Sequence, residues 1–205
     1  MVEIIDISLP LDTSLAVWPG DTEFDYQLVW RRSAGATVNV GSVRMSTHCG
    51  THIDASFHFD EDGTKVDELS LATFIGRALV IHVPGRQNIS RADLSRDLQG
   101  ATRLLIRTDA WTDPHVFPER IPVIDLDVPD WLRSQGIVLL GVDLPSVDAL
   151  DSKELPVHHA LARNRVAILE SLNLRDVEEG AYDLVAAPLR IVGADAAPVR
   201  AVLMR

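Results

Sequence analysis

The chain has 205 residues, of which 46% are hydrophobic and 24% are charged, as is ordinary for a soluble globular protein of one domain, residues 1–205. Its formal net charge of -11 argues against nucleic acid as the main partner, because phosphate binding requires clustered lysines and arginines. A single cysteine excludes an intrachain disulfide, and no apolar run approaches the ~20 residues of a membrane span. The first residues do not resemble a signal peptide, so we expect a cytoplasmic protein without membrane attachment.

Short apolar runs of strand length recur along the chain. Residues 2–8 are predicted to form a first strand, which Pro10 ends, and Trp18-Pro-Gly-Asp21 predicts a turn. Further strands are predicted at residues 37–45, 78–83, 103–108, 137–142, 165–169, 182–187 and 199–203.

Between these runs lie segments with helix signals. Ser90 and Asp93 resemble a capping-box variant that opens a short helix. Pro129 predicts the start of a second helix, which Gly136 closes, and Pro156 predicts the start of a third. The mixture predicts an α/β fold with several strands, few helices and a sheet that is partly buried on both faces.

The densest group of metal-binding side chains lies in the segment His48-Cys-Gly-Thr-His52-Ile-Asp54-Ala-Ser-Phe-His58. This segment holds three of the chain's seven histidines and one aspartate. Imidazole and carboxylate together form a ligand set for zinc, manganese or iron. Because such a group is costly to bury without a metal, the segment predicts a metal-dependent hydrolase.

The spacing within this segment favours extended backbone over helix. His48, His52, Asp54 and His58 all have even numbers, so in a strand they share one face. A straight strand would nevertheless separate the first and last of them by ~33 Å, at ~3.3 Å per residue. We therefore predict a strand that ends near His48, a kinked turn at Gly50, and a second extended piece that runs through Asp54 to His58.

Carboxylates at the ends of two other predicted strands are further candidates. Glu170 directly follows an apolar run and is the better ligand candidate, because a strand fixes such a residue while the next loop exposes it. Asp143 and Asp148 are interpreted instead as caps of turns or helices.

Two adjacent histidines and the cysteine require separate interpretation. His158 and His159 lie on the third predicted helix, where neighbours point ~100° apart, so only one of them can face a given metal. Spacing alone does not choose between them. Cys49 has the opposite parity to the histidines and is predicted to be a small buried thiol.

The histidine segment, written His-x-Gly-Thr-His-x-Asp-x-x-x-His, resembles the signature of the family called putative cyclases. Within that family the chain is most similar to the bacterial kynurenine formamidases, also called arylformamidases. The similarity runs nearly from end to end and includes the following segments: Asp6-Ile-Ser8, Trp18-Pro-Gly-Asp-Thr22, Val38-Asn-Val-Gly41, Gly141-Val-Asp-Leu-Pro-Ser-Val-Asp148, Leu155-Pro-Val-His158, Ile168-Leu-Glu170 and Ala194-Asp-Ala-Ala-Pro-Val-Arg200.

The resemblance implies a swivelling β/β/α fold, a homodimer and a two-metal site usually described with zinc, with manganese as the alternative. It implies hydrolysis of N-formyl-L-kynurenine to L-kynurenine and formate, a step of tryptophan breakdown. Carried over by position, His58 would be the acid/base, Trp18 would help to line the substrate pocket, and His158 rather than His159 would be a ligand. The complete implied ligand set is His48, His52, Asp54, His158 and Glu170.

Two positions depart from the family pattern without removing a ligand. Ser56 stands where the family commonly has proline, and Cys49 replaces a residue that is often Thr or Ser. Two other functions stay open: an amide or lactam hydrolase of the same family, such as an isatin hydrolase, and a catalytically silent metal- or ligand-binding module. The first would share every metal ligand and differ only in its pocket.

Overall fold

The computed structural model describes residues 2–205 as thirteen strands and three α-helices, joined by loops and short 3-10 turns. The strands are β1 Ile4–Asp6, β2 Asp25–Trp30, β3 Val40–Arg44, β4 His52–Asp54, β5 Ile75–His82, β6 Asn88–Ile89, β7 Arg103–Arg107, β8 Val123–Ile124, β9 Leu139–Val142, β10 Ala167–Glu170, β11 Gly180–Val185, β12 Ala196–Pro198 and β13 Val202–Met204. The helices are α1 Arg91–Leu94, α2 Val128–Ser134 and α3 Pro156–Arg163.

Nine of the strands form one mixed sheet in the order β1-β13-β11-β5-β7-β9-β10-β4-β12. The centre, β5-β7-β9-β10, is parallel, and every pairing outside it is antiparallel. The predicted α/β class, with a mixed sheet and few helices, is therefore confirmed.

Both faces of the sheet are covered, as the sequence predicted. Side chains alternate along a strand, so in β5 Leu79 and Ile81 enter one core while Ala78 and Val80 enter the other. Helices α2 and α3 cover the first face. Continuous apolar runs with both faces buried are typical of central parallel strands.

The three predicted helices are present. At α1, Ser90 Oγ–H and the Ser90 backbone N–H both donate to Asp93 Oδ2, at 2.6 and 3.0 Å. Helix α2 has proline in its first turn and α3 begins at Pro156. Proline is tolerated there because the first turn has no intrahelical partner for its N–H. No helix within residues 2–205 is long and apolar enough to cross a membrane.

Four strands, β2, β6, β8 and β12, are absent from the sequence-based prediction. β2 pairs with β3 in a separate two-stranded sheet, where most side chains are exposed on both faces. Without a buried face, β2 lacks the hydrophobic alternation by which strands are recognised. β6 and β8 have only two residues each and pair with each other in a second small sheet. β12 consists of two alanines and a proline, a composition with weak strand preference.

The prediction for the histidine segment was wrong in its local geometry. β3 ends at Arg44, before a turn that contains His48, and only His52 and Asp54 lie in a strand. His58 lies in the 3-10 turn Ser56–His58 rather than in extended backbone. The bend at Gly50 is present, with φ of 69°, and a Cβ there would lie 2.7 Å from the side chain of Leu11.

Candidate functional site

Strand β4 places two of the predicted ligands on one face of the sheet. It lies between β10 and β12, and its register puts His52 opposite Glu170 on one side and Asp54 opposite Ala196 on the other. His52 and Asp54 point to the same face because they are two residues apart, while Ile53 between them enters the opposite core. This pairing places Glu170 beside the histidine segment, although the two are more than a hundred residues apart in the sequence.

Asp54 is the centre of the cluster and is buried. Its Oδ1 lies 3.2 Å from both His48 Nδ1 and His52 Nε2, and its Oδ2 lies 3.4 Å from His158 Nε2. Glu170 completes the group, 3.5 Å from His52 Nε2 and 3.6 Å from His158 Nε2. The five side chains that the sequence named as ligands are thus brought together. His159 is not part of this group; its ring packs edge-on against Phe59 instead.

Two of the histidine rings of the cluster are oriented by acceptors outside it. His52 Nδ1–H donates to the Gly50 carbonyl at 2.8 Å, so the bend at Gly50 also aims the ring. His158 Nδ1–H donates to Asp148 at 2.7 Å. In both residues Nε2 is left facing Asp54 and Glu170. Hydrogen bonds of this kind fix the tautomer and the ring plane of metal-binding histidines.

Several polar atoms of the cluster are buried without a hydrogen-bond partner among residues 2–205: His52 Nε2 and both carboxylate oxygens of Asp54. Leaving such atoms unpaired is costly, most of all for an ionised carboxylate. A divalent cation between the imidazoles and the two carboxylates would satisfy all three atoms. Ligand atoms of His52, Asp54 and Glu170 lie close enough together to hold one ion, and those of His48, Asp54 and His58 form a second group that shares Asp54. The residues therefore fit a metal centre.

The electrostatics of the cluster follow from its mixed charges. Burial alone would lower the pKa of His48, but the hydrogen bond to Asp195 and the adjacent carboxylate of Asp54 outweigh it and raise the pKa to about 10. Burial is likewise overcome at His158, where Asp148 and Asp54 raise the pKa to about 10. Burial, followed by repulsion from Asp54, raises the pKa of Glu170 to about 7. Without a metal, protons neutralise the group, and metal binding must displace them.

His58 differs from the other histidines of the cluster. It is exposed at the wall of the site, and its ring lies 4.1 Å from that of His48, centroid to centroid. Burial is the largest influence on the pKa of His58 and lowers it from the ordinary value. A histidine that stays neutral near pH 7 is able both to take up and to release a proton.

The turn that carries His58 is braced by the side chain of Ser56. Ser56 Oγ accepts a hydrogen bond from the Thr64 backbone N–H at 2.9 Å. Gly63 lies against the Ser56–Phe57 backbone so closely that a Cβ would come within 2.4 Å of it. The Ser56 hydroxyl and the close approach of Gly63 thus hold the turn, which a proline ring at position 56 would have stiffened instead.

Four of the five cluster residues, all except Asp54, form the floor of a cavity of about 350 Å³ with aromatic walls. Trp18, predicted at the pocket, lines this cavity and is 41% exposed. Its ring packs edge-to-face on Phe117, 5.3 Å between centroids, and Trp111 adds a third aromatic wall. A larger cavity of about 770 Å³ shares Trp111 but contains none of the cluster residues. The smaller cavity is therefore the candidate substrate site.

Backbone strain supports this assignment. Leu155 and Ser171, both lining the cavity, have φ of 42° and 57°, in the left-handed region that side chains other than glycine rarely adopt. Leu155 precedes the helix that carries His158, and Ser171 directly follows Glu170. Strain of this kind is concentrated at functional sites.

Sequence reasoning did not assign roles to several residues of the site. Phe117 and Trp111 come from a loop without a recognisable motif, and no signal in the sequence marks them. Asp148 was interpreted as a cap, which it is, since it accepts the backbone N–H groups of Val157 and His158. Asp195 lies within the closing motif already noted for its family resemblance. Cys49 is buried as predicted, and burial raises the pKa of its thiol to about 11.

The sequence is similar to known proteins over nearly its whole length. A relative from Geobacillus thermodenitrificans named kynurenine formamidase is 51% identical over 202 residues, covering 98% of this chain and 97% of the relative. A relative of the same name from Bacillus cereus is 47% identical over the same coverage.

The structure is similar to solved hydrolases. One described as a potential metal-dependent hydrolase with cyclase activity superposes with a TM-score of 0.86 at 26% identity, covering 100% of this chain and 98% of that one. Isatin hydrolase A from Ralstonia solanacearum shares the fold, with a TM-score of 0.83 at 21% identity over 99% of this chain and 92% of that one. The model of the family described as "Putative cyclase" matches residues 5–149. The chain belongs to this cyclase family and groups there with the bacterial relatives named kynurenine formamidase.

Proposed function

We propose that the chain is a metal-dependent arylformamidase that hydrolyses N-formyl-L-kynurenine to L-kynurenine and formate in tryptophan degradation. The observation that carries the proposal is the buried Asp54, which has both oxygens unpaired and lies among three imidazoles that line an aromatic cavity. The proposed substrate is taken from the relatives named kynurenine formamidase, which are 47–51% identical to this chain. One hydrolase domain spanning residues 1–205 is part of the proposal.

The proposed ligands are His48, His52, Asp54, His158 and Glu170. Asp54 is suited to be shared between two positions, because its Oδ1 faces His48 and His52 while its Oδ2 faces His158. We propose two zinc ions per subunit, with manganese as the alternative, since imidazole and carboxylate suit both metals. When bound, a divalent metal would polarise the formyl carbonyl and lower the pKa of a coordinated water toward ~7.

His58 is proposed to move the proton that the reaction requires. Cleavage of the formamide leaves an aryl amine, which must gain a proton at nitrogen as the C–N bond breaks. His58 lines the cavity, and a third of its side chain is exposed, so it can reach substrate without being enclosed by the ligand cluster. An aniline-type nitrogen is a better leaving group than an alkyl amine, and one histidine suffices as its proton donor.

The aromatic walls are proposed to hold the aryl ring of the substrate. Trp18 and Phe117 already pack edge-to-face, an arrangement that a further ring can extend. With Trp111 they would exclude water on the side opposite the ligands and keep the formyl group directed at the floor. Such apolar walls with convergent polar groups are typical of small-molecule sites.

A homodimer is proposed from the exposed hairpin β2–β3. It presents a cluster of large apolar side chains to solvent: Tyr26, Val29, Trp30, Val40 and Val43. A two-stranded hairpin is marginally stable by itself, and an exposed apolar patch of this kind marks an interaction site. A second copy of the chain would bring the same patch, as a two-fold interface requires. A cytoplasmic location, without nucleic acid or membrane partners, is part of the same proposal.

An isatin hydrolase is the alternative within the family. The solved isatin hydrolase shares the fold at 21% identity, whereas the relatives named kynurenine formamidase are 47–51% identical. Formamide hydrolysis is therefore the favoured activity, and opening of the isatin lactam is the alternative with which it is compared.

The proposal is tested with purified protein by measuring hydrolysis of N-formyl-L-kynurenine and of isatin. Each substrate is assayed before chelation, after chelation, and after add-back of zinc or manganese. Rapid formamide turnover that chelation abolishes and metal restores is the expected result. Faster turnover of isatin than of N-formyl-L-kynurenine would make isatin the assigned substrate. Metal-loaded protein that hydrolyses no amide would favour a catalytically silent binding module.

A further inference from the structure

Asp195 is a polar residue of the site to which neither the histidine segment nor the proposed chemistry assigns a role. Its Oδ2 lies 2.9 Å from His48 Nε2, while the other nitrogen of that ring, Nδ1, faces Asp54 Oδ1 at 3.2 Å. A carboxylate is an acceptor only, so Nε2 carries the proton in this contact. Nδ1 is left as the nitrogen directed at the cluster.

His48 therefore repeats the arrangement of the other two ligand histidines. His52 is held by the Gly50 carbonyl and His158 by Asp148, each through the nitrogen that points away from Asp54. In His48 the roles of the two ring nitrogens are reversed, because it is Nε2 that is held and Nδ1 that faces Asp54. His48 also lies in a turn rather than in a strand or helix, so its backbone restrains the ring least.

Asp195 itself is held firmly by backbone pairing and by a second side chain. It directly precedes β12, and its carbonyl accepts the Ala55 backbone N–H at 2.9 Å. Its Oδ1 accepts the Thr47 hydroxyl at 3.0 Å, which leaves Oδ2 for His48. Because Thr47 is adjacent to His48, one oxygen of Asp195 fixes the turn through Thr47 while the other fixes the ring of His48.

We infer that Asp195 is a positioning residue that accepts the Nε2–H of His48 and so directs Nδ1 toward the metal position beside Asp54. The inference rests on the proposal that His48 is a ligand. Carboxylate acceptors behind ligand histidines typically account for 10–100-fold in metal affinity. Loss of the Asp195 carboxylate should therefore weaken metal binding at the position that includes His48 while leaving the position beside His158 and Glu170 filled.

The experiment compares Asp195→Asn and Asp195→Ala with a matched control, Asp67→Asn. Asp67 Oδ1 accepts the Gly193 backbone N–H at 2.9 Å, so it tethers the same segment of chain without facing an imidazole. Asparagine at 195 has one acceptor oxygen, so it cannot accept from both the Thr47 hydroxyl and the His48 Nε2–H as the two carboxylate oxygens do. Zinc stoichiometry and affinity are measured by chelator competition, and the absorption spectrum is recorded for the cobalt-substituted proteins.

The expected result is a fall of about 10–100-fold in affinity for one of two zinc ions in both Asp195 variants, with a changed cobalt spectrum and no such change in Asp67→Asn. Excess zinc should restore most of the turnover of Asp195→Asn, which a mere folding defect would not allow. Equal zinc affinity in wild type and both Asp195 variants would overturn the inference while leaving the proposed hydrolase intact. Wild-type protein that binds no zinc would overturn both.

Discussion

Asp148 and His158 are joined by two hydrogen bonds: the Asp148 carboxylate accepts both the ring Nδ1–H and the backbone N–H of His158, at 2.7 and 3.0 Å. The same carboxylate accepts the Val157 backbone N–H at 3.0 Å. One side chain therefore satisfies two donors in the first turn of α3 and orients a proposed ligand. A structural and a functional role coincide at this residue.

Substitution of Asp148 should separate these two roles. Asp148→Ala should lower the free energy of unfolding by about 1–3 kcal/mol, because buried donors lose their acceptor. Asp148→Asn retains an acceptor oxygen and should fold more stably than Asp148→Ala while still losing metal affinity. Urea unfolding of the metal-free proteins and zinc titration check the two effects. Unaltered zinc binding in both variants would contradict the orienting role.

His58→Ala should retain its metal and lose turnover by about 10²–10⁴-fold, the usual contribution of a positioned general acid or base. Metal content measured beside kcat distinguishes this result from the loss of a ligand. His159→Ala is the control, since that ring packs on Phe59 outside the ligand cluster. Loss of zinc from His58→Ala would instead make His58 a ligand, which its proximity to His48 and Asp54 permits. Full activity without His58 would rule out its acid/base role.

Phe117→Ala should raise KM for the formamide substrate by about 3–10-fold, in keeping with the ~0.5–1.5 kcal/mol of an edge-to-face aromatic contact. The zinc content should not change, because Phe117 lines the wall rather than the floor of the cavity. Val116→Ala is a matched control: it is the preceding residue, it is 62% exposed, and its side chain does not line the cavity. Steady-state kinetics of the two variants test the aromatic wall. The assignment fails if both give the same KM.

The metal-free protein should lose stability as the pH rises. The pKa values of His48 and His158 are raised to about 10 and that of Glu170 to about 7, so the folded state binds more protons than the unfolded state. For the histidines this contribution is complete below pH 6.5 and is lost as the pH approaches about 10. For Glu170 it is complete below pH 4.5 and is lost through about pH 7.

Metal binding should show the opposite trend, since a metal competes with these protons. Zinc affinity should rise from pH 6 to pH 9, and the thermal midpoint of zinc-loaded protein should vary less with pH than that of chelated protein. Thermal unfolding of both forms at pH 6, 7, 8 and 9 tests this. A metal-free protein that gains stability over the same range would contradict the protonated cluster.

Trp30→Glu should convert the proposed dimer to monomer, because it places a charge in the apolar patch of the hairpin. Trp30 is 58% exposed, so the substitution removes little from the interior of one subunit. Val192→Glu is the control, as Val192 is 81% exposed and lies outside the hairpin. Sedimentation velocity at several concentrations distinguishes the two. A wild-type chain that sediments as a monomer would reject the dimer.

The sequence alone was enough to predict the class of fold, and its family resemblance named the five proposed ligands. The apolar runs that became β5, β7, β9 and β10 are recognisable because central strands bury both faces, and their hydrophobicity is a local property. The types of ligand could likewise be predicted from the histidine segment, because imidazole and carboxylate groups are able to bind metals wherever they lie in a fold.

The arrangement of those ligands depended on the tertiary structure. Shared parity predicted convergence along extended backbone, whereas His48 lies in a turn and His58 in a 3-10 turn. The side chains meet instead because β4 pairs with β10 and β12, which brings Glu170 and Asp195 to the histidine segment. Strand pairing joins residues more than a hundred positions apart through backbone hydrogen bonds. No local pattern encodes such a register, so only the folded chain determines which acceptor orients each ligand.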